Sequence, residues 1–157
     1  MVQEIVPQRA RSSAEEKPRV GVGIMILKDS RVLLGRRHSD PEKASSELHG
    51  EGTWTMPGGK LDFHEELEDA VYREAKEETG IEIDKTKLKI INIGNEIVPD
   101  KHFVTIGYLY KEPVGEPVIM EPDEIVEWKW FDLNNLPNPI FPPSQKLLDA
   151  YKKLIEE

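Results

Sequence analysis

The sequence contains no cysteine, which excludes disulfide bonds, zinc–thiolate sites and cysteine nucleophiles. It also has no apolar run that approaches the roughly 18–20 residues needed to span a bilayer. Residues 1–18 are polar and of mixed charge, without the apolar core of a secretory signal. These absences predict a soluble, cytoplasmic protein that does not associate with a membrane.

Basic residues are in the minority: 21 Lys and Arg stand against 30 Asp and Glu, for a net charge of −9. A protein that binds nucleic-acid polymers needs a basic surface to displace counterions from the phosphates, so this class is disfavoured. A small polyphosphate can still bind an acidic protein if metal cations stand between the two sets of negative charge. The composition therefore favours a small ligand over a polymer.

The chain length of 157 residues, of which 38% are hydrophobic, suits one globular domain. We predict that this domain covers residues 19–157 and that residues 1–18 form a flexible arm. The apolar run that begins at Val20, a turn at 28–30 and the segment 31–35 predict a β-hairpin. Residues 38–52 are polar and rich in turn formers, which predicts an exposed loop.

The rest of the chain predicts more strands and two helices. The strands are expected at 54–62, broken by a Pro-Gly-Gly turn, and at 87–97, 102–111 and 125–132. The first helix should run from Glu65 to Thr79 and end at Gly80, and the second should cover 144–155. This order predicts an α/β fold in which a mixed β-sheet is flanked by helices.

Three glutamates lie on the apolar side of the first predicted helix. At about 100° per residue, that helix has one apolar stripe, formed by Leu67, Ala70, Val71 and Ala75. Glu74 and Glu78 fall in the middle of the stripe, and Glu77 lies near its edge. A solvated acidic face is the ordinary interpretation of a Glu-rich helix, but these carboxylates point where the helix should pack. Anions held together there need protons or cations, and oxygen ligands suit Mg²⁺ or Mn²⁺.

Two neighbouring features are ambiguous when taken alone. Arg73 precedes Glu77 by four residues, so it forms either an ordinary surface ion pair or a support that orients a metal-binding carboxylate. The Pro57-Gly58-Gly59 turn is either a plain loop or a place where the backbone approaches a ligand closely. Both features gain weight from the carboxylate helix that follows them.

These residues together resemble the Nudix box, G-x5-E-x7-R-E-U-x-E-E-x-G-U, where U is a bulky aliphatic residue. The match comprises Gly59, Glu65 and the segment 73–81, with the small Ala75 at the first U position. The resemblance extends over roughly 20–143. Over this range the sequence is similar to the MutT-type branch of the Nudix family, which includes nucleoside triphosphate diphosphatases. One departure is His64, because relatives often carry glycine at this position; an exposed loop histidine is the favoured interpretation.

The resemblance implies a Nudix-type α/β/α sandwich and a metal site. Its metal ligands would be Glu74, Glu77, Glu78 and the carbonyl of Gly58, with Mg²⁺ as cofactor and Mn²⁺ as a substitute. A further acid from a later segment often joins them in this family. Glu121 and Glu124 are the candidates, ahead of Glu127, which precedes the packing residue Trp128; each of the three could also be a plain surface acid.

The same resemblance implies catalytic roles. Glu74 and Glu77 would act in catalysis with the metal, while Glu65 and Arg73 would brace the loop and hold Glu77 in place. Glu74 or the downstream acid could accept the proton of the attacking water.

Substrate-binding residues are less well defined. Arg37 resembles a phosphate-contacting arginine, with Arg36 as its rival. Phe103, Tyr108 and Phe141 are candidates for stacking on a base, although aromatic residues are more often part of a core.

The expected reaction is hydrolysis of a diphosphate linkage in a nucleotide-type substrate. The resemblance favours a nucleoside triphosphate cut to a monophosphate and pyrophosphate. ADP-ribose, or another nucleoside diphosphate derivative, is the alternative substrate. A sensor that binds a nucleotide without cutting it is a third hypothesis, disfavoured because the box acids are all present. Relatives are often dimers, so a homodimer is compatible with the resemblance.

Overall fold

The computed structural model describes residues 16–44 and 48–156, so most of the predicted arm lies outside the described residues. In this part of the chain we find seven strands and two α-helices, in the order β1 (Arg19–Lys28), β2 (Arg31–Arg37), β3 (Trp54–Thr55), β4 (Gly58–Lys60), α1 (Leu67–Thr79), β5 (Lys89–Val98), β6 (Lys101–Lys111), β7 (Ile125–Asp132) and α2 (Pro142–Glu156). Neither helix is long and apolar enough to span a membrane.

The strands form one mixed sheet. β1 lies parallel to β6, whereas β1 with β2, β1 with β4, β2 with β7 and β5 with β6 pair antiparallel. The predicted hairpin of β1 and β2 is confirmed, because Lys28 pairs with Arg31 across a two-residue turn. Its first turn residue, Asp29, has a left-handed φ of 58°, which a short polar side chain tolerates. The mixed sheet is as predicted.

The two helices cover opposite faces of the sheet. Side chains alternate along β1, so Val22 and Ile24 pack in the core beneath α1, while Met25 and Leu27 pack in the core beneath α2. α1 contributes Val71 and two alanines to the first of these cores. α2 contributes two leucines to the second core. The predicted α/β/α sandwich is therefore confirmed.

The helix boundaries differ slightly from the prediction, for local reasons. α1 begins at Leu67 instead of Glu65, because Glu66 has an extended ψ of 150° and Glu65 uses its carboxylate to bind the preceding loop. α1 ends at Gly80, where a φ of 77° gives the predicted left-handed stop. α2 begins at Pro142, two residues earlier than predicted, since the first turn of a helix does not need the N–H that proline lacks.

The predicted loop at 38–52 forms neither helix nor strand in its described residues, 38–44 and 48–52. It passes beside the end of β2, where the backbone N–H of Arg37 donates to the carbonyl of Thr53. Leu48 of this loop lines a cleft beside α1.

Candidate active site

A cleft of about 430 Å³ lies where β1, β4 and β6 meet the acidic face of α1 and the start of α2. Most of the site residues expected from the sequence line it. These are Arg37, Gly58, Glu74, Glu77, Glu78, Glu121, Glu124 and Phe141. Arg36, Glu65 and Arg73 do not line the cleft. Its size is typical of small-molecule sites, which commonly occupy about 300–1,000 Å³.

The Gly58-Gly59 pair lets α1 come close to the sheet. A β-carbon on Gly59 would collide with the carboxylate of Glu74, and one on Gly58 would collide with the carbonyl oxygen of Val22. Both glycines lie on β4, which pairs antiparallel with β1 through Val22 and Gly23. The missing side chains are therefore what allows the Glu74 carboxylate to rest against the strand.

Arg73 organises the acids from beneath the cleft. Its Nε donates to Oε2 of Glu65 at 2.8 Å, and its Nη2 donates to Oε1 of Glu65 at 2.9 Å. Its Nη1 donates to Glu74 at 3.0 Å and to Glu77 at 3.2 Å, and Nη2 also donates to the Lys60 carbonyl at 3.0 Å. The guanidinium thus joins α1 to the loop before it and holds two of the three cleft-lining glutamates of α1.

This arrangement favours a permanently charged arginine. The hydrogen bonds that Arg73 donates to Glu65, followed by the one it donates to Glu77 and the charges of the nearby carboxylates, raise the pKa of Arg73 above its ordinary value. The bond from Arg73 in turn lowers the pKa of Glu65. Glu65 therefore acts as a stable anchor for the guanidinium.

The carboxylates that face the cleft have the opposite tendency. Burial raises the pKa of Glu74, although Arg73 opposes the change. Burial, and next the negative charge of Glu74, raise the pKa of Glu78 well above its usual range. Burial and the neighbouring Glu124 raise the pKa of Glu121 as well. Together these carboxylates form a region where negative charge is concentrated and a cation would be stabilised.

Arg37 and Arg36 point in different directions, as expected of neighbours on a strand. Arg37 Nε donates to the Gly50 carbonyl at 2.9 Å, and its Nη2 donates to the Ala44 carbonyl at 2.8 Å. The Arg37 guanidinium also lies 5.2 Å from the ring centre of Phe141. Burial lowers the pKa of Arg37. Arg36 Nε instead donates to Glu127 at 3.3 Å. Of the two arginines, Arg37 lines the cleft and Arg36 does not.

The three aromatic candidates are divided between cleft and core. Phe103 and Phe141 line the cleft, whereas Tyr108 is 1% exposed and donates its hydroxyl to Glu68. His64 lies outside the cleft in the exposed loop before α1, with its ring centre 4.0 Å from that of Phe63.

Sequence reasoning missed one wall of the cleft. Asn92 and Glu96 on β5 and Thr105 on β6 line it, together with the start of α2. Glu96 is only 6% exposed and accepts a hydrogen bond from Lys146 of α2 at 3.1 Å. The available signal was an isolated acid within the apolar alternation of a strand, but only strand pairing reveals that it faces the cleft.

Comparisons with known proteins agree with this geometry. A family profile described as NUDIX domain matches residues 17–151. The chain is 34% identical over 137 residues to an ADP-ribose pyrophosphatase of Methanocaldococcus jannaschii, covering 87% of this chain and 74% of that protein. It is 29% identical to the NAD-capped RNA hydrolase NudC of Pseudomonas putida, but spans only 38% of that protein's length.

Solved structures give the same result. A MutT NUDIX hydrolase from Burkholderia pseudomallei matches with a TM-score of 0.76 at 36% identity, over 86% of this chain and 98% of that one. The NUDIX domain of Shewanella oneidensis NrtR, solved with ADP ribose, matches with a TM-score of 0.68 at 18% identity, over 96% of this chain and 97% of that one. The second match concerns the fold alone.

Proposed function

This chain belongs to the NUDIX family of hydrolases, and we propose that its cleft uses Mg²⁺ to hydrolyse a diphosphate linkage in a nucleotide-type substrate. Mn²⁺ is the expected substitute. The observation that carries the proposal is the fixed position of Glu74 and Glu77, which share the guanidinium of Arg73 at one end of a ligand-sized cleft.

The residues present suit a hard divalent cation. The donor set consists of carboxylate oxygens and the Gly58 carbonyl, without sulfur, which is the chemistry that Mg²⁺ prefers. The contact of Glu74 with Gly59 leaves no room for a side chain on the strand beneath the acids. Across 16–44 and 48–156, no three His, Asp or Glu side chains are yet arranged to hold an ion. Glu74 and Glu78 already lie side by side, so a cation would need a third oxygen brought to this pair.

Each cleft residue has a distinct task in the proposed reaction. Glu74, Glu77 and Glu78 would hold the cation, and Glu121 or Glu124 would complete the set from the loop before β7. When bound, the cation supplies neutralisation of the diphosphate charge and a lower pKa for the attacking water. Glu74 or the acid from the later loop would accept the proton of that water. Arg37, which lines the cleft, would contact a phosphate.

The first substrate class that we propose is a nucleoside triphosphate, cut to a monophosphate and pyrophosphate. The support is the resemblance of residues 20–143 to the triphosphate-cleaving branch, together with the similarity to the Burkholderia MutT NUDIX hydrolase. ADP-ribose is the second candidate, and the name of the Methanocaldococcus relative favours it. In both cases the protein would act on a small molecule in the cytoplasm, without a nucleic-acid polymer or a membrane, as a monomer or a homodimer.

Product analysis on a small nucleotide panel with Mg²⁺ tests the proposal. The panel contains the common nucleoside triphosphates and their deoxy forms, ADP-ribose and a dinucleoside polyphosphate. Release of pyrophosphate from a triphosphate is the expected result, and AMP from ADP-ribose alone would move the assignment to the second candidate. Nucleotide binding without cleavage of any compound would overturn hydrolysis in favour of a sensor.

A further inference from the structure

The wall of the cleft formed by β5 and β6 contains a shallow recess with small residues at its base. Across the paired strands, Gly94 lies opposite Thr105, and Thr105 lies beside Gly21 of β1. In the next row Asn92 is opposite Gly107, which lies beside Gly23. Four of these six positions lack a side chain. Leu147 of α2 covers the row of Gly107 and Gly23, so the space for a flat ligand lies over the row of Thr105.

The recess has apolar borders. Phe103, which is 6% exposed, stands opposite Glu96 at one end. At the other end Leu147 of α2 lies over Gly107, where its Cδ1 would be 2.5 Å from an added β-carbon. A planar ring placed between these side chains would contact apolar atoms at both ends.

Polar groups converge on one side of this recess. A β-carbon added to Gly94 would lie 3.4 Å from Asn92 Nδ2 and 3.8 Å from Glu96 Oε2. Lys146 fixes the carboxylate of Glu96 by donating to its Oε1 at 3.1 Å. Within the described residues, neither Glu96 Oε2 nor the Asn92 amide has a hydrogen-bond partner. The recess thus presents a fixed, nearly buried carboxylate with one free oxygen, a group that accepts hydrogen bonds and cannot donate them.

We propose that this recess binds the base of the nucleotide and that Glu96 selects guanine. The proposal rests on the proposed function, because it assumes that the cleft holds a nucleotide. The guanine edge carries two adjacent donors, N1–H and the 2-amino group, which match an ionised carboxylate. Adenine has an acceptor at N1, and its lone pair would face the negative charge of Glu96. Lys146 is a positioning residue that keeps the carboxylate aimed into the recess.

The experiment compares the wild-type protein with Glu96→Gln, a substitution that keeps the shape and removes the charge. Initial rates with GTP and ATP in Mg²⁺ give the ratio of kcat/KM for the two bases. Calorimetric titration with GMP and AMP gives the same comparison for binding, without any turnover. Glu156→Gln at the exposed end of α2 is the matched control.

We expect the wild type to prefer guanine by about tenfold or more, since a mismatched polar edge at a buried site is strongly disfavoured. Glu96→Gln should lower this preference at least tenfold, partly by improving adenine, whose N1 can accept from the new amide. The control should match the wild type. Equal use of both bases by the wild type, or an equal loss for both bases in the variant, would overturn the proposal.

The two measurements separate this proposal from the proposed function. Preferential GMP binding that depends on Glu96, without hydrolysis of any nucleotide, would overturn hydrolysis and support the base site. Hydrolysis without base preference would support the proposed function and overturn the base site. If Glu96→Gln does not retain a cooperative melting transition, Lys146→Met takes its place. Lys146→Met removes the ammonium group that holds the Glu96 carboxylate in place, so the guanine preference should fall. An unchanged preference would contradict the proposal.

Discussion

Arg73 holds Glu65 with two parallel hydrogen bonds of 2.8 and 2.9 Å, a fork that joins α1 to the loop in front of it. The other edge of the guanidinium holds Glu74 and Glu77 at the cleft. The same cation therefore fixes the loop and orients the acids proposed to bind metal.

Arg73→Lys tests the fork. Lysine keeps the positive charge but has one ammonium group, which cannot hold both Glu65 oxygens and two further carboxylates in a plane. We expect a loss of turnover of roughly 10–100-fold, as is common when a group that orients a metal ligand is removed. Steady-state kinetics over a range of Mg²⁺ concentrations is the measurement. Arg31→Lys at the exposed start of β2 is the control, and equal activity of the two variants would contradict the role of the fork.

Glu77→Gln tests the proposed metal ligand. The Glu77 side chain is 45% exposed, so the substitution should leave the melting temperature close to that of the wild type. Turnover should nevertheless fall by about two orders of magnitude or more, because an amide is a poor substitute for a carboxylate on Mg²⁺. Glu66→Gln just before α1 is the matched control, since this side chain makes no capping bond. Near-normal turnover of Glu77→Gln would refute the assignment.

Glu78→Gln tests whether burial of the Glu78 carboxylate lowers the stability of the metal-free protein. Burial raises the pKa of Glu78 in the folded protein. At pH values above the pKa that Glu78 has in the unfolded chain, the folded state therefore binds more protons than the unfolded state. Stability from this group is therefore lost as the pH rises through the folded pKa. In the presence of a chelator, the variant should melt above the wild type at about pH 8, and the difference should shrink near about pH 4.5. Thermal melts at the two pH values measure it; a variant that melts lower at both would contradict the argument.

Arg37→Lys and Arg36→Lys form a matched pair on one strand. Arg37 binds two carbonyls of the 38–52 loop and faces the cleft, whereas Arg36 pairs with Glu127 outside it. We expect Arg37→Lys to raise KM several-fold and Arg36→Lys to change it by less than about twofold, since exposed ion pairs contribute little. Saturation kinetics with the best substrate of the panel is the measurement. A larger effect at Arg36 would reverse the assignment.

The parts of the site that could be predicted from the sequence are local in the chain. Glu74 and Glu78 are one helical turn apart, and their phase relative to Val71 predicts that both side chains face inward. The stop at Gly80 and the hairpin of β1 and β2 follow from turn chemistry within a few residues. The resemblance to the Nudix box implies in addition that Arg73 braces the carboxylates.

The parts that could not be predicted depend on long-range pairing. Glu96 faces the cleft only because β5 pairs with β6 in a register that sets it opposite Phe103, and a shift of one residue would turn it outward. Arg37 contacts its carbonyls through the path of an irregular loop, which carries no periodic signal. The helix-forming composition of the segment predicts that Glu65 lies in the helix. Its carboxylate instead accepts a hydrogen bond from the backbone N–H of Asp62 in the preceding loop, and the helix begins after it.

The most direct test of the central claim is phosphorus NMR of one reaction, followed first in chelator and then after addition of excess Mg²⁺. The wild type is compared with Glu77→Gln on the substrate that the panel identifies. We predict no product in chelator, pyrophosphate and a nucleoside monophosphate after Mg²⁺ is added, and almost none from the variant. Equal product formation in chelator, or by the variant in Mg²⁺, would contradict a metal-dependent diphosphate hydrolysis carried by the α1 carboxylates.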